Sequence, residues 1–291
     1  MKRFLSLLLC LPLLSALLMG CGEKNPYPPI ETVSLPAEEP RKEGTSGDYS
    51  YAVFSSYSGI TGYSGKDTAL TLPDKLGGYP VKMICEEAFA GNETIKSVVL
   101  PKSLLVIDRM AFENCRSLER VTFPEGLQTI GAYAFSRTAL TSLSLPSTLY
   151  AIGREAFVGI AITSLVMPDS LTEADDYAFH ACKNLKSVTL SHRLSELSGR
   201  LFEGCTALTE IVLPSTVTKL GDYVFAGCSS LTRAVIPSSV QTVGSGCFTA
   251  SPTLTVILPE EGAVSKWCSR NAVTWRLAEE EEWASFYGED G

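Results

Sequence analysis

Ala178-Phe179-His180-Ala181-Cys182-Lys183-Asn184-Leu185-Lys186-Ser187-Val188-Thr189-Leu190 is one copy of a pattern that returns every 22 or 23 residues. Its anchor is the phenylalanine, repeated as Phe89, Phe112, Phe135, Phe157, Phe179, Phe202, Phe225 and Phe248. The residue before each is apolar, and in five of the eight units it is alanine. Downstream comes an apolar-x-apolar stretch closed by proline, as in Val121-Thr122-Phe123-Pro124 and Ile211-Val212-Leu213-Pro214. Alternation of this kind is the signature of a strand with one buried face, and proline closes it because it has no N–H for a ladder. An apolar-x-x-apolar element often followed by glycine, such as Leu127-Gln128-Thr129-Ile130-Gly131, completes the unit.

The Ala-Phe segment reads as a short helical turn that drops its ring inward. Burial of one phenyl ring contributes on the order of 1.5–3 kcal/mol. A single 22-residue unit has no partner for its apolar face, whereas stacked units bury one another. The expected fold is therefore a right-handed solenoid of about eight repeats, with a parallel β-sheet along one side and short helical turns. The units resemble leucine-rich repeats, specifically the BspA-like class of bacterial surface proteins, on Ile130-Gly131-Ala132-Tyr133-Ala134-Phe135 and the stretch quoted at the outset. Two departures stand out: the units of Phe135 and Phe157 are one residue short, and Ser191-His192 replaces the proline start. Both predict local loop adjustments.

The domain plan follows from where the pattern begins and ends. Residues 81–259 hold the repeats. Residues 49–80 read as an N-terminal β-hairpin cap, from Tyr51-Ala52-Val53-Phe54 and Ile60-Thr61-Gly62-Tyr63, with Leu70-Thr71-Leu72 as the first solenoid strand. Residues 260–278 read as a C-terminal cap, a helix over 264–270 and a strand over 273–277. The acidic tail 279–291 has two readings, a solvated end or docking of Trp283 on the last repeat. Residues 21–48 are rich in Pro, Glu and Lys and predict an extended tether.

Residues 1–20 combine a basic start, Lys2-Arg3, with an apolar run too short to span a bilayer. Leu18-Met19-Gly20-Cys21 resembles the lipobox of bacterial lipoproteins. That resemblance implies cleavage after Gly20, a diacylated Cys21, and an extracytoplasmic protein anchored to the cell envelope by lipid. Cleavage would move the formal net charge from -8 to -10, since Lys2 and Arg3 leave and no acidic residue does. Such acidity argues against nucleic acid as a partner.

Four of the nine cysteines, Cys115, Cys182, Cys205 and Cys228, fall three residues after their phenylalanine, a register that predicts a buried ladder of small side chains. Paired C-x-x-C motifs for a metal are absent from the sequence, and no cofactor is implied. His180 reads as an exposed variable position and His192 as a turn residue; neither sits in a nucleophile constellation, so no catalysis is expected.

What remains is surface. The middle residue of each strand points outward: Val99, Thr122, Ser144, Val166, Thr189, Val212, Val235 and Ile257. Five of the eight are β-branched aliphatics. The row reflects either β-propensity alone or an apolar stripe for protein binding, with Arg120, Glu210 and Arg233 adding polar specificity at its edge. The BspA-like resemblance implies an adhesin for host matrix or bacterial surface proteins. A structural envelope scaffold is the alternative.

Overall fold

A computed structural model describes Leu35 and residues 38–287. The leader, Cys21 and most of the expected tether lie outside the described residues. From Pro40 onward the chain forms one compact unit, a parallel-strand solenoid of about ten turns.

Three backbone seams run along it, where the sequence reading expected one sheet. The first is the expected strand face. Ala69–Thr71, Ser97–Val99 and Arg120–Thr122 pair in parallel, as do Ser164–Val166 and Ser187–Thr189. Glu210–Val212, Arg233–Val235, Thr255–Leu258 and Thr274–Leu277 complete it. The face loses its strand over residues 141–145, inside one of the shortened units. The second seam is built from the apolar-x-x-apolar elements. Tyr79–Ile84, Val106–Ile107, Thr129–Ile130, Ala151–Ile152 and Glu173–Ala174 pair in order, followed by Glu196–Leu197, Lys219–Leu220 and Thr242–Val243. Glycine follows four of these eight strands, at Gly131, Gly153, Gly221 and Gly244, where neighbouring turns nearly touch. A Cβ on Gly131 would lie 2.8 Å from the Arg109 nitrogen, and one on Gly244 would lie 2.4 Å from the Gly221 carbonyl carbon.

The Ala-Phe segment makes the third seam, and here the expectation of a helical turn is corrected. The backbone two residues before and two residues after every repeat phenylalanine is left-handed; around Phe179 these are Tyr177 (φ 60°) and Ala181 (φ 56°). Most of these residues are not glycine, so the conformation carries strain. Every second N–H of this segment points to the next repeat, while those between, on Ala178, His180 and Cys182, bond three residues back. Tyr177, Phe179 and Ala181 donate to the carbonyls of Gly199, Leu201 and Glu203, at 3.1, 3.1 and 2.7 Å. A helix would have spent those donors within its own turn; here they join one repeat to another.

Inside, the phenylalanines form a continuous column. Successive rings from Phe89 to Phe248 stack at 4.8–5.9 Å between centroids, within 15° of parallel. Tyr63 of the N-terminal cap covers Phe89 at 5.9 Å, and Trp267 meets Phe248 edge-on at 6.1 Å. Both ends of the column are thus closed by an aromatic ring.

Ser191 has a specific explanation. Two residues after the strand-closing proline, a hydroxyl usually donates to the preceding repeat, as Ser103 does to Val81 and Ser170 to Leu149. The Ser191 repeat carries Arg193 at that place, and Ser191 itself donates to the equivalent carbonyl, Leu171, at 2.7 Å. One serine supplies the bond that proline and arginine would leave unmade.

The caps extend further than the sequence reading placed them. Tyr49–Val53 and Ser58–Tyr63 pair antiparallel as a hairpin. Lys42–Ser46, assigned to the tether, adds an antiparallel strand to it. At the other end the helix Ala263–Arg270 and the strand Thr274–Leu277 close the last turn, as expected. Of the tail, Glu280–Tyr287 forms a helix, and residues 288–291 lie outside the described residues.

Candidate functional site

The outward row of the strand face begins as the alternation predicts. Val99 is 43% exposed and Val166 63%, and Thr122, Ser144 and Thr189 are exposed. Inward neighbours such as Val98, Leu165 and Met167 are buried. Further along, the expectation fails. Val212 is half-buried, Val235 is 0% exposed and Ile257 is 1% exposed. Val235 and Ile257 sit on outward positions yet do not face solvent, and Val212 does so only in part.

The C-terminal helix meets this part of the face. Tyr287 donates its hydroxyl to the Leu213 carbonyl at 2.6 Å, reaching 74 positions back along the chain. Leu213 flanks Val212 and donates to the Val235 carbonyl at 3.0 Å, so the tyrosine reaches the backbone next to both valines. Burial pushes the Tyr287 phenol well above its ordinary range. The Arg233 guanidinium lies 5.2 Å from the Phe286 ring centre and pairs with Glu210 at 2.6 Å. Arg276 grips Glu282 in a fork, at 2.7 and 2.6 Å, and this bond holds the carboxyl below its usual range. Trp283, the residue singled out for docking, packs on Tyr287 at 4.6 Å.

The edge residues are divided in the same way. Arg120 is exposed and paired loosely with Glu119 at 3.5 Å. Glu210 and Arg233 are half-buried and committed to each other and to the tail. The sequence reading missed Arg276, Glu282, Phe286 and Tyr287 as members of this surface. The signal was present as aromatics at 283, 286 and 287, the i, i+3, i+4 spacing of a helix face.

The cysteine register is as expected. Cys115, Cys182, Cys205 and Cys228 are buried and free, and each thiol points at the phenylalanine carbonyl of the preceding repeat, at 3.1–3.4 Å. Burial pushes the Cys115 thiol up to about 12. Such thiols are inert filler. Cys85 and Cys268 are raised for the same reason, to about 12 and about 11.

His180 is not the exposed decoration expected: its ring is half-buried, edge-on to Tyr177 at 5.6 Å, with Nδ1 3.4 Å from Glu203. His192 is exposed and meets Asp169 at 3.0 Å. That contact, first of all, lowers the Asp169 carboxyl below its ordinary value. Among the described residues no group of three or more His, Cys, Asp or Glu is placed to hold a metal. A cleft beside the last repeat, lined by residues including Ile236, Val240 and Val264, holds about 200 Å³. That is below the roughly 300–1,000 Å³ of small-molecule sites.

Parallel strands, a stacked core and a 22- or 23-residue unit define a leucine-rich-repeat solenoid. Residues 82–161 and 151–268 match the BspA type leucine rich repeat region, in six copies. The chain belongs to that family. Among solved structures it is similar to a leucine-rich repeat protein from Bacteroides ovatus, 24% identical, covering 81% of this chain and 76% of that one, with a TM-score of 0.62. It is also similar to the leucine-rich repeat protein of T. pallidum, 25% identical, covering 81% of this chain and 98% of that one, with a TM-score of 0.58. Comparison with curated proteins gave no match.

Proposed function

We propose that this protein is a surface module that binds other proteins through the open part of its strand face, held at the bacterial envelope by lipid on Cys21. The observation that carries this reading is Val166, a valine 63% exposed in the middle of a regular parallel strand. With Val99, Thr122, Ser144 and Thr189 it makes an exposed row of small and β-branched side chains, carried on two sheets with a strandless step at residues 141–145. An extended row in which apolar valines alternate with hydroxyl-bearing side chains suits a protein ligand, because a small molecule needs a concave site. Arg120 supplies a charge at the edge that remains accessible.

The test is binding of residues 40–291, which retain the strand Lys42–Ser46, to host matrix proteins and whole bacterial surfaces. The control carries Val99→Lys and Val166→Lys. Saturable binding that disappears in the control, with an unchanged circular dichroism spectrum, is the expected result. Absence of saturable binding across the panel would remove the adhesive reading in favour of a structural envelope scaffold. Anchoring is checked separately: Cys21→Ala should release the chain from membranes if lipid holds it.

A further inference from the structure

A terminal cap and a ligand occupy different places on a solenoid. The cap covers the open end of the last turn, and that task is already done. The helix Ala263–Arg270 sets Trp267 against Phe248, and the strand Thr274–Leu277 pairs with Thr255–Leu258. The helix Glu280–Tyr287 does neither. It lies against the side of the solenoid and reaches Leu213, beside the strand Glu210–Val212, which stands three strands before Thr274–Leu277. There it meets Leu213 and Arg233, on the part of the face where the outward Val235 and Ile257 are buried although the same repeat register leaves Val99 and Val166 open.

The hold is also slight. None of the helix residues is fully buried. Its side-chain anchors to the rest of the unit are the Tyr287 hydrogen bond, the Arg233 contact with Phe286, and the Arg276 fork on Glu282. Eight residues are too few for a helix that is stable without packing. The segment also suits what it touches: residues 279–287 carry four acidic residues and no basic one, and of these Glu282 bonds Arg276 and feels the charge of Arg233. Aromatics at 283, 286 and 287 share one helix face, the arrangement by which helical peptides seat in grooves.

We infer that the strand face around Leu213, Arg233, Val235 and Ile257 is an exchangeable binding site, occupied in this chain by its own tail. Its external ligand is an acidic helical segment of another protein with aromatics at i, i+3 and i+4. The tail imitates that ligand and competes with it from within the chain. This inference deepens the reading of the strand face as a protein-binding surface and assigns a second, chemically distinct portion of it.

The probe is a dye-labelled peptide of residues 279–291, followed by fluorescence anisotropy as unit 40–291 is added. The unaltered unit should bind it weakly, because the resident helix competes at high effective concentration. Phe286→Ala with Tyr287→Ala, made in the unit and not in the peptide, should open the face and tighten binding at least tenfold. Arg233→Glu added to that variant should abolish the gain. Should the double variant fold poorly by circular dichroism, Glu282→Arg loosens the same helix with the aromatics intact and is read in its place. Equal peptide binding by the opened and unaltered units would overturn the inference, as would a gain that survives Arg233→Glu. A concentration-dependent dimer of the unaltered unit that disappears in the double variant would also overturn it, by making a second copy the ligand. Peptide binding that persists in the Val99→Lys, Val166→Lys control separates this site from the open face, so either can fail without the other.

Discussion

Val166 and Val235 occupy the same position of the repeat, three units apart, and one is 63% exposed while the other is buried completely. Each strand is three residues long with the valine last; that of Val166 stands at the end of a two-stranded sheet and that of Val235 inside a four-stranded one. What distinguishes their surroundings is a segment more than forty positions beyond Val235, which meets its neighbours Leu213 and Arg233. A repeat register dictates the direction in which a side chain points. It does not dictate what stands in that direction. A solenoid face is therefore defined as a surface only after the non-repeating segments have been placed, and here the tail divides one row into an open part and an occupied part.

The largest perturbation should abolish the comparison by unfolding both parts together. Phe179 stacks on Phe157 at 5.4 Å and Phe202 at 5.9 Å in the middle of the column. Phe179→Ala should cost about 3–5 kcal/mol, the usual price of truncating a buried phenyl ring, measured by urea unfolding. A single cooperative transition shifted to lower urea is expected; loss of one end with the other intact would show that the column does not couple the repeats.

Changing the two valines sharpens the contrast. Val235→Lys places a charge beneath the tail and should destabilise by roughly 1–3 kcal/mol, with faster hydrogen exchange across residues 280–287. Val166→Lys puts the same charge into solvent and should stay within about 0.5 kcal/mol. Equal effects would remove the distinction between the two ends.

The smallest effect belongs to His192 and Asp169. Because the Asp169 carboxyl is depressed in the folded chain, its contribution is present above the ordinary carboxylate pKa. It is lost as the pH falls through the depressed value. Both side chains are more than half exposed, so His192→Ala should cost less than about 0.5 kcal/mol near neutral pH. The difference from the unaltered chain should vanish in acid. A larger loss would mean that this turn supports the open face more than its exposure suggests.

The repeat length, the buried phenylalanine column, the inward and outward positions of each strand and the cysteine register were all legible in the sequence. Each follows from local periodicity, which a solenoid repeats in space without rearrangement. The Ala-Phe turn was misread as helical because its left-handed residues, among them Tyr133, Tyr177 and Arg200, are not the glycines that announce such a backbone. Bonds to the next repeat hold them there, and no local propensity records those bonds. Lys42–Ser46 reads as tether because its pairing partner lies in the hairpin it joins. The covered end of the strand face was beyond the sequence for a related reason. Whether Tyr287 meets water or the carbonyl of Leu213 depends on where the last turn delivers the tail, a matter of three-dimensional position. Periodicity determined the solenoid and its faces; tertiary contact between segments distant in sequence decided which part of a face is free.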